Sequence, residues 1–227
     1  SQYEELSMEL PDPTTAISAE RVTKVQCENY TEAEANIAIE NPETGPCVGY
    51  FNYARYVCYD LTVKEAGTYY ITLRAANGHG FLANCINVYL DGEKQDITFD
   101  MEQTGFEGGN TWFTFIDSKP FALTLPEGRV QLKLECNVAE GPNLDYMLFQ
   151  KDEPAYTMNT ISSGSRLKAA EDYYEKTDTV KAENCTDEDG GTSLGYCNPG
   201  EWLSYHVQVA ESGTYELTAR IASEQDT

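Results

Sequence analysis

The chain has 227 residues, enough for one large domain or two ordinary ones, and carries 15 Lys and Arg against 38 Asp and Glu, a formal net charge of −23. That balance excludes nucleic acid and anionic membrane surfaces as partners, because both require basic patches. No apolar run approaches the roughly 20 residues of a membrane span, and no signal peptide opens the sequence, so any export signal is expected to have been removed or to lie outside it.

Most of the acid reads as solubilising charge; the sharper reading is that some carboxylates ligate calcium. Seven cysteines occupy positions 27, 47, 58, 85, 136, 185 and 197. None forms a Cys-x-x-Cys pair and only two histidines exist, which argues against zinc. Cys27, Cys58 and Cys136 fall in alternating segments where cysteine behaves as a small buried apolar residue. An odd count cannot pair fully within the chain, so most are read as free core thiols, as in a non-oxidising source.

In chain order, residues 1–20 form an acidic leader or linker with a PDPTT turn signal and no core of its own. From Arg21 the pattern becomes strand-like: RVTKVQCENY, IAIE, VGYF, RYVCYDLTV, TYYITLRAAN, CINVYLDG, WFTFID, FALTLPEG, VQLKLECNV and DYMLFQ. These short runs are rich in Val, Ile, Tyr, Phe and Thr and are separated by Gly, Pro, Asn and Asp. Asp91-Gly92 and Glu127-Gly128 are hairpin signals. Some ten short strands in about 130 residues predict an all-β antiparallel sandwich over 21–151, with a jelly roll as its topology. Residues 152–165 are polar and turn-rich and read as a connection.

Residues 166–227 repeat the first part of that pattern. Gly49 to Asn77 reads GYFNYARYVCYDLTVKEAGTYYITLRAAN, and Gly195 to Ser223 reads GYCNPGEWLSYHVQVAESGTYELTARIAS, aligned without a gap. Such self-similarity means that one kind of unit occurs twice. Nothing after residue 151 matches WFTF, FALTLPEGRVQLKL or NLDYMLF, so the second copy is expected to be a partial sandwich, truncated or completed elsewhere.

AEDYY, GYCNPGEW and GTYELTARIAS of the second copy, with GGNTWFTF, LPEGRVQLKL and NLDYMLF of the first, together resemble family 6 carbohydrate-binding modules or the related family 35. The resemblance implies a β-sandwich that binds polysaccharide without cleaving it. Two aromatic rings flank a sugar at a loop end and an Asn bonds its hydroxyls. Apolar C–H faces of a pyranose suit aromatic stacking, and its hydroxyls need fixed polar partners. By that pattern Tyr50 and Trp112 are the flanking aromatics and Asn143 is the amide. A second cleft on a sheet face would use Tyr56, where the sequence departs to YARY, and Tyr196 with Trp202 in the second copy. The resemblance also implies a structural Ca2+ held by Gln26, Glu28 and Asp145. Calcium takes six to eight oxygen ligands, and an amide carbonyl serves with less charge than a carboxylate.

Only His79 and His206 are present, so a His-based triad has no support. The expectation is a non-catalytic module with one complete site, part of a larger secreted enzyme or cell-surface protein of bacterial type. It would bind a plant or microbial glycan and adjoin neighbouring domains of its parent. Two alternatives stay open: a structural or adhesive spacer of a surface protein, and an ancillary domain of a glycoside hydrolase.

Overall fold

A computed structural model describes residues 16–105, 111–154, 156, 158–185 and 190–222. It divides into two units, 1–155 and 156–227.

The first unit contains strands β1 (Ala16–Ile17), β2 (Thr23–Gln26), β3 (Glu32–Ala33), β4 (Ala38–Glu40), β5 (Cys47–Gly49), β6 (Tyr56–Val63), β7 (Gly67–Ala76), β8 (Ile86–Leu90), β9 (Glu93–Lys94), β10 (Ile116–Asp117), β11 (Phe121–Leu125), β12 (Gly128–Cys136) and β13 (Asn143–Gln150). One sheet runs β1-β6-β12-β8-β9, with β3 also on β6. The other runs β10-β7-β13-β5-β4, with β11 also on β7 and β2 on β13. All pairings are antiparallel except β1 with β6. This is the antiparallel β-sandwich that the strand pattern predicts.

The alternation along β6 and β12 explains the layer. Val57, Tyr59, Leu61 and Val63 are buried, as are Val130, Leu132, Leu134 and Cys136, while Asp60 faces solvent. They meet Tyr69, Ile71, Leu73, Leu144, Met147 and Phe149 of the second sheet in one core. A period of two with one face apolar fixes the register, since a one-residue slip would turn every core side chain outward.

Three local expectations change and one holds. Ala16 and Ile17 pair with Thr62 and Val63, and Ile17 is fully buried, so the sandwich begins inside the stretch read as a leader. Two apolar residues in an acidic context gave too short a pattern to show it. Cys27 sits in a 3-10 turn, Cys27–Asn29, rather than in a strand. Asp91-Gly92 does close a hairpin, β8 to β9, with φ of 49° and 84°. Glu127-Gly128 does not: β11 pairs with β7, but β12 pairs with β6 and β8. A turn signal fixes a reversal of the chain; which sheet receives the next strand is decided by packing.

Among the described residues no disulfide joins the cysteines. Cys27, Cys47, Cys58, Cys85 and Cys136 are buried, Cys185 is half-buried and Cys197 is exposed. Burial pushes the Cys47 and Cys85 thiols up to about 12 and Cys58 to about 11, and raises Cys27 further.

The second unit holds three strand pairs. β14 (Asn159–Ile161) lies parallel to β19 (Val207–Val209), β15 (Glu175–Lys176) pairs with β18 (Leu203–Ser204), and β16 (Lys181–Asn184) pairs with β17 (Thr192–Gly195). The β16–β17 register reproduces β4–β5: Lys181 faces Gly195 as Ala38 faces Gly49. The Gly-Thr-Tyr segment, expected as a strand, forms none over 214–222, and Leu217 and Ile221 are 92% and 82% exposed. Their counterparts Ile71 and Ala75 are fully buried in β7, which lies between β13 on one side and β10 and β11 on the other. Among the described residues no strand pairs with 214–222, and alternation without a partner does not make a strand.

His206 anchors this unit. Its ring stacks on Tyr156 at 4.5 Å and lies 4.0 Å from Tyr174, and its Nδ1 is buried without a partner. Burial depresses its pKa to about 4. The folded unit therefore holds a neutral ring. Above about pH 6.5 both folded and unfolded states are neutral there, and the packing contributes in full. As the pH falls from about 6.5 towards 4, the unfolded chain takes up a proton that the folded one refuses, and stability drops. After discounting for partial exposure, the loss is about 1–2 kcal/mol. Hydrogen exchange of peptides covering 170–176 should accelerate across that window, and His206→Phe should flatten the dependence.

Candidate functional site

The first wall of the site is the turn leaving β5. Phe51 is fully buried and anchors it, and its carbonyl accepts from the Gly141 N–H at 2.9 Å. A Cβ at Gly141 would run into that carbonyl and the Cys136 sulfur, so glycine permits the close approach. The Ala54 N–H donates to the Cys136 carbonyl, and the Cys136 N–H to that of Arg55, both at 2.9 Å. With its neighbour plugged into the core, Tyr50 is turned outward, 58% exposed, in the left-handed region at φ 55°. That conformation costs a non-glycine residue about 1 kcal/mol or more. Arg55 offsets it, with Nη1 donating to the carbonyls of Tyr50 (2.8 Å) and Asn36 (3.1 Å).

Trp112 forms the second wall, in the 3-10 turn Thr111–Phe113 rather than in a strand. Its indole lies directly on Gly78, where no Cβ would fit. His79 stands edge-on to it, with centroids 5.2 Å apart at 87°. Buried polar groups hold this loop. Thr104 Oγ1 donates to the Thr111 carbonyl at 2.9 Å and accepts from the Asn77 N–H at 2.9 Å. Asn77, fully buried, donates from Nδ2 to the carbonyls of Gly80 and Glu102 and accepts the His79 N–H on Oδ1. The GGN stretch before Trp112 lies outside the described residues.

Asn143, at the start of β13, lies between the walls. Its Nδ2 donates to the Trp112 carbonyl at 2.9 Å and to Glu40 Oε2 at 3.2 Å. Both amide protons are thus engaged by the protein, which leaves Oδ1 as the group Asn143 would offer a ligand. Tyr50, Trp112 and Asn143 line one open cleft of about 350 Å³, together with Glu40, Asn52, Phe113, Glu140 and Gly141. His79 Nε2 hydrogen-bonds Glu140 Oε2, and Asn52 bridges to Glu140 through the backbone. Sequence reasoning did not place Asn52, Phe113, Glu140 or His79 here. Gly78 and Gly141, each next to a loop residue of the site, were the available signal.

The other expected residues lie elsewhere. Tyr56 sits on the outward face of the first sheet, its hydroxyl donating to Glu32 Oε1 at 3.0 Å, with the Lys133 ammonium 5.4 Å from its ring. Tyr196 repeats the geometry of Tyr50, at φ 62° and 62% exposed. Trp202 is half-buried, and its backbone is bonded to Thr177.

Gln26, Glu28 and Asp145 are brought near one another. Gln26 pairs with Tyr146, and a bulge between Leu144 and Tyr146 carries Asp145. Glu28 Oε2 is buried with no hydrogen-bond partner. Burial raises the pKa of both carboxyls, and repulsion from Asp145 raises that of Glu28 further. Arg74 partly offsets this, 3.5 Å from Asp145 and 3.3 Å from Asp117. Among the described residues no cluster of three or more His, Cys, Asp or Glu side chains is spaced for a metal. An orphaned carboxylate oxygen beside a second carboxylate and an amide carbonyl suits a hard cation with oxygen ligands.

A β-sandwich with an aromatic cleft at its loops is the build of a sugar-binding module. The sequence profile of the carbohydrate binding module (family 6) matches residues 19–151 and 169–227. The chain belongs to that family. No curated protein sequence matches it. Similar solved structures include a family 35 carbohydrate binding module from Clostridium thermocellum, at 19% identity and TM-score 0.49, covering 57% of this chain and 97% of the other. The C-terminal family 6 module of a marine laminarinase from Zobellia galactanivorans is 20% identical at TM-score 0.47, covering 58% and 100%. A family 35 module from Paenibacillus barcinonensis is 20% identical at TM-score 0.48, covering 57% and 99%. Among the described residues no helix is long and apolar enough to cross a membrane, which says nothing of a β-barrel.

Proposed function

We propose that the first unit binds a polysaccharide in the cleft between Tyr50 and Trp112, without cleaving it, as a module of a larger secreted carbohydrate-active enzyme or surface protein. The observation that carries this reading is the convergence of Tyr50, Trp112 and Asn143 on one cleft, from three separate segments of the chain. A sugar ring stacks its C–H face on the aromatics, while Asn143 Oδ1 and the Glu40 carboxylate accept from its hydroxyls. The exposure of Tyr50 in a strained conformation supports binding over a packing role. Both carboxylates of the cleft are already hydrogen-bonded, Glu40 to Asn143 and Glu140 to His79, which supports a recognition surface rather than an acid–base pair.

Gln26, Glu28 and Asp145 would hold a structural Ca2+, which would supply positive charge to two half-buried carboxyls. The complete site is proposed for the first unit; Tyr196 and Trp202 lie in the second. Isothermal titration and affinity electrophoresis against xylan, β-glucans, cellulose and galactans test the function. Binding of at least one glycan without release of reducing sugar is the expected result. Binding of none would leave the spacer reading, and sugar release would make the unit part of a hydrolase.

A further inference from the structure

We infer that Glu140, held in place by His79, makes the cleft select uncharged glycans and reject those bearing uronate groups, an inference that rests on the glycan-binding reading above. Among the described residues, two carboxylates line the cleft, Glu40 and Glu140, and no Lys or Arg does. The cation closest in the chain to the Tyr50 wall, Arg55, is occupied by the carbonyls of Tyr50 and Asn36 and by Glu34 at 3.7 Å. Each carboxylate has a partner in the protein. Glu40 accepts from Asn143, and Glu140 is bonded to a histidine whose ring stands against Trp112.

Such a pair acts in opposite directions on two ligand types. A hydroxyl donates to a carboxylate in a charge-assisted hydrogen bond, stronger than one to a neutral acceptor. A uronate brings a third negative charge beside two fixed ones with no cation between them, and like charges at this range disfavour binding. The acid therefore attracts one class of sugar and repels the other, which is how specificity is built by an unfavourable contact as well as a favourable one. The net charge of −23 adds a field of the same sign at longer range. Glu140 is the specificity-determining residue in this account, and His79 is a positioning residue acting through it.

The neutral polysaccharide that binds is compared with its carboxylated derivative, C6-oxidised for a hexose polymer or glucuronate-substituted for xylan, at pH 8. In low salt the derivative should bind the wild-type protein at least about fivefold more weakly, and raising NaCl to about 0.5 M should narrow that gap. Glu140→Gln should lower the neutral-to-carboxylated affinity ratio at least about threefold. Equal affinities in low salt overturn the inference while leaving sugar binding intact. A gap that neither salt nor Glu140→Gln narrows overturns it too, since the rejection would then be steric. The salt series needs no variant, so a Glu140→Gln protein that fails to fold still leaves a decisive measurement. Absence of binding to any polysaccharide overturns the glycan-binding reading and this one with it.

Discussion

Trp112→Ala should weaken glycan binding at least about thirtyfold, the effect of truncating an aromatic hot spot worth 2 kcal/mol or more, while the sandwich stays folded. The indole is half-buried in a loop turn and belongs to neither core cluster, so its removal leaves the sheets' packing in place. A second variant reaches the same end without touching the tryptophan. Gly78 is outside the left-handed region, so Gly78→Val meets no backbone penalty there, but its side chain would occupy the space of the indole. Displacing Trp112 should cost as much affinity as deleting it. Titration against a glycan that binds the wild-type protein reads the loss, and thermal unfolding checks the fold. Full affinity in a folded Trp112→Ala protein would move the site elsewhere, the outward sheet face at Tyr56 being the first place to look.

Calcium should raise the melting temperature of the first unit by about 5–10 °C at pH 7. Glu28 and Asp145 have their pKa values raised, chiefly by burial. A group raised in the folded state contributes stability below its unfolded pKa and loses it as the pH rises through the folded value. Without a cation, the unit should therefore lose stability from about pH 4 upward on account of these two carboxyls. A bound divalent cation reverses the loss. At a concentration a hundred times Kd the gain is about 2.7 kcal/mol, several degrees for a unit of this size. The shift should vanish near pH 4, be smaller with Mg2+, and disappear in Asp145→Asn. Identical melting with Ca2+ and with EDTA at pH 7 would rule the cation out.

The layers and core were legible in the sequence because period-two alternation along Tyr56–Val63 and Gly128–Cys136 leaves one face apolar, and that face has one place to go. The cleft was legible only through the family resemblance, which assigned Tyr50, Trp112 and Asn143 by their places in its motifs. Glu40 and Glu140 were not, since 38 acids give the sequence no contrast in which two particular carboxylates stand out. His79 was hidden for another reason: its role depends on Asn77 folding the loop back on itself, a contact between side chain and backbone that no periodicity encodes. The strand expected at 214–222 failed for want of partners, because alternation states which face is apolar and says nothing of what will cover it.

The cysteines offer a readout of a different kind. Five buried thiols lie in the first unit, and Cys185 and Cys197 lie in the second. A thiol raised to about 12 is almost wholly protonated at neutral pH and reacts only when its surroundings open. Timed alkylation followed by mass spectrometry would thus act as two clocks in one molecule. Adducts at 185 and 197 would mark the second unit, and the slow appearance of five more would time the opening of the sandwich, with no label introduced and no residue changed.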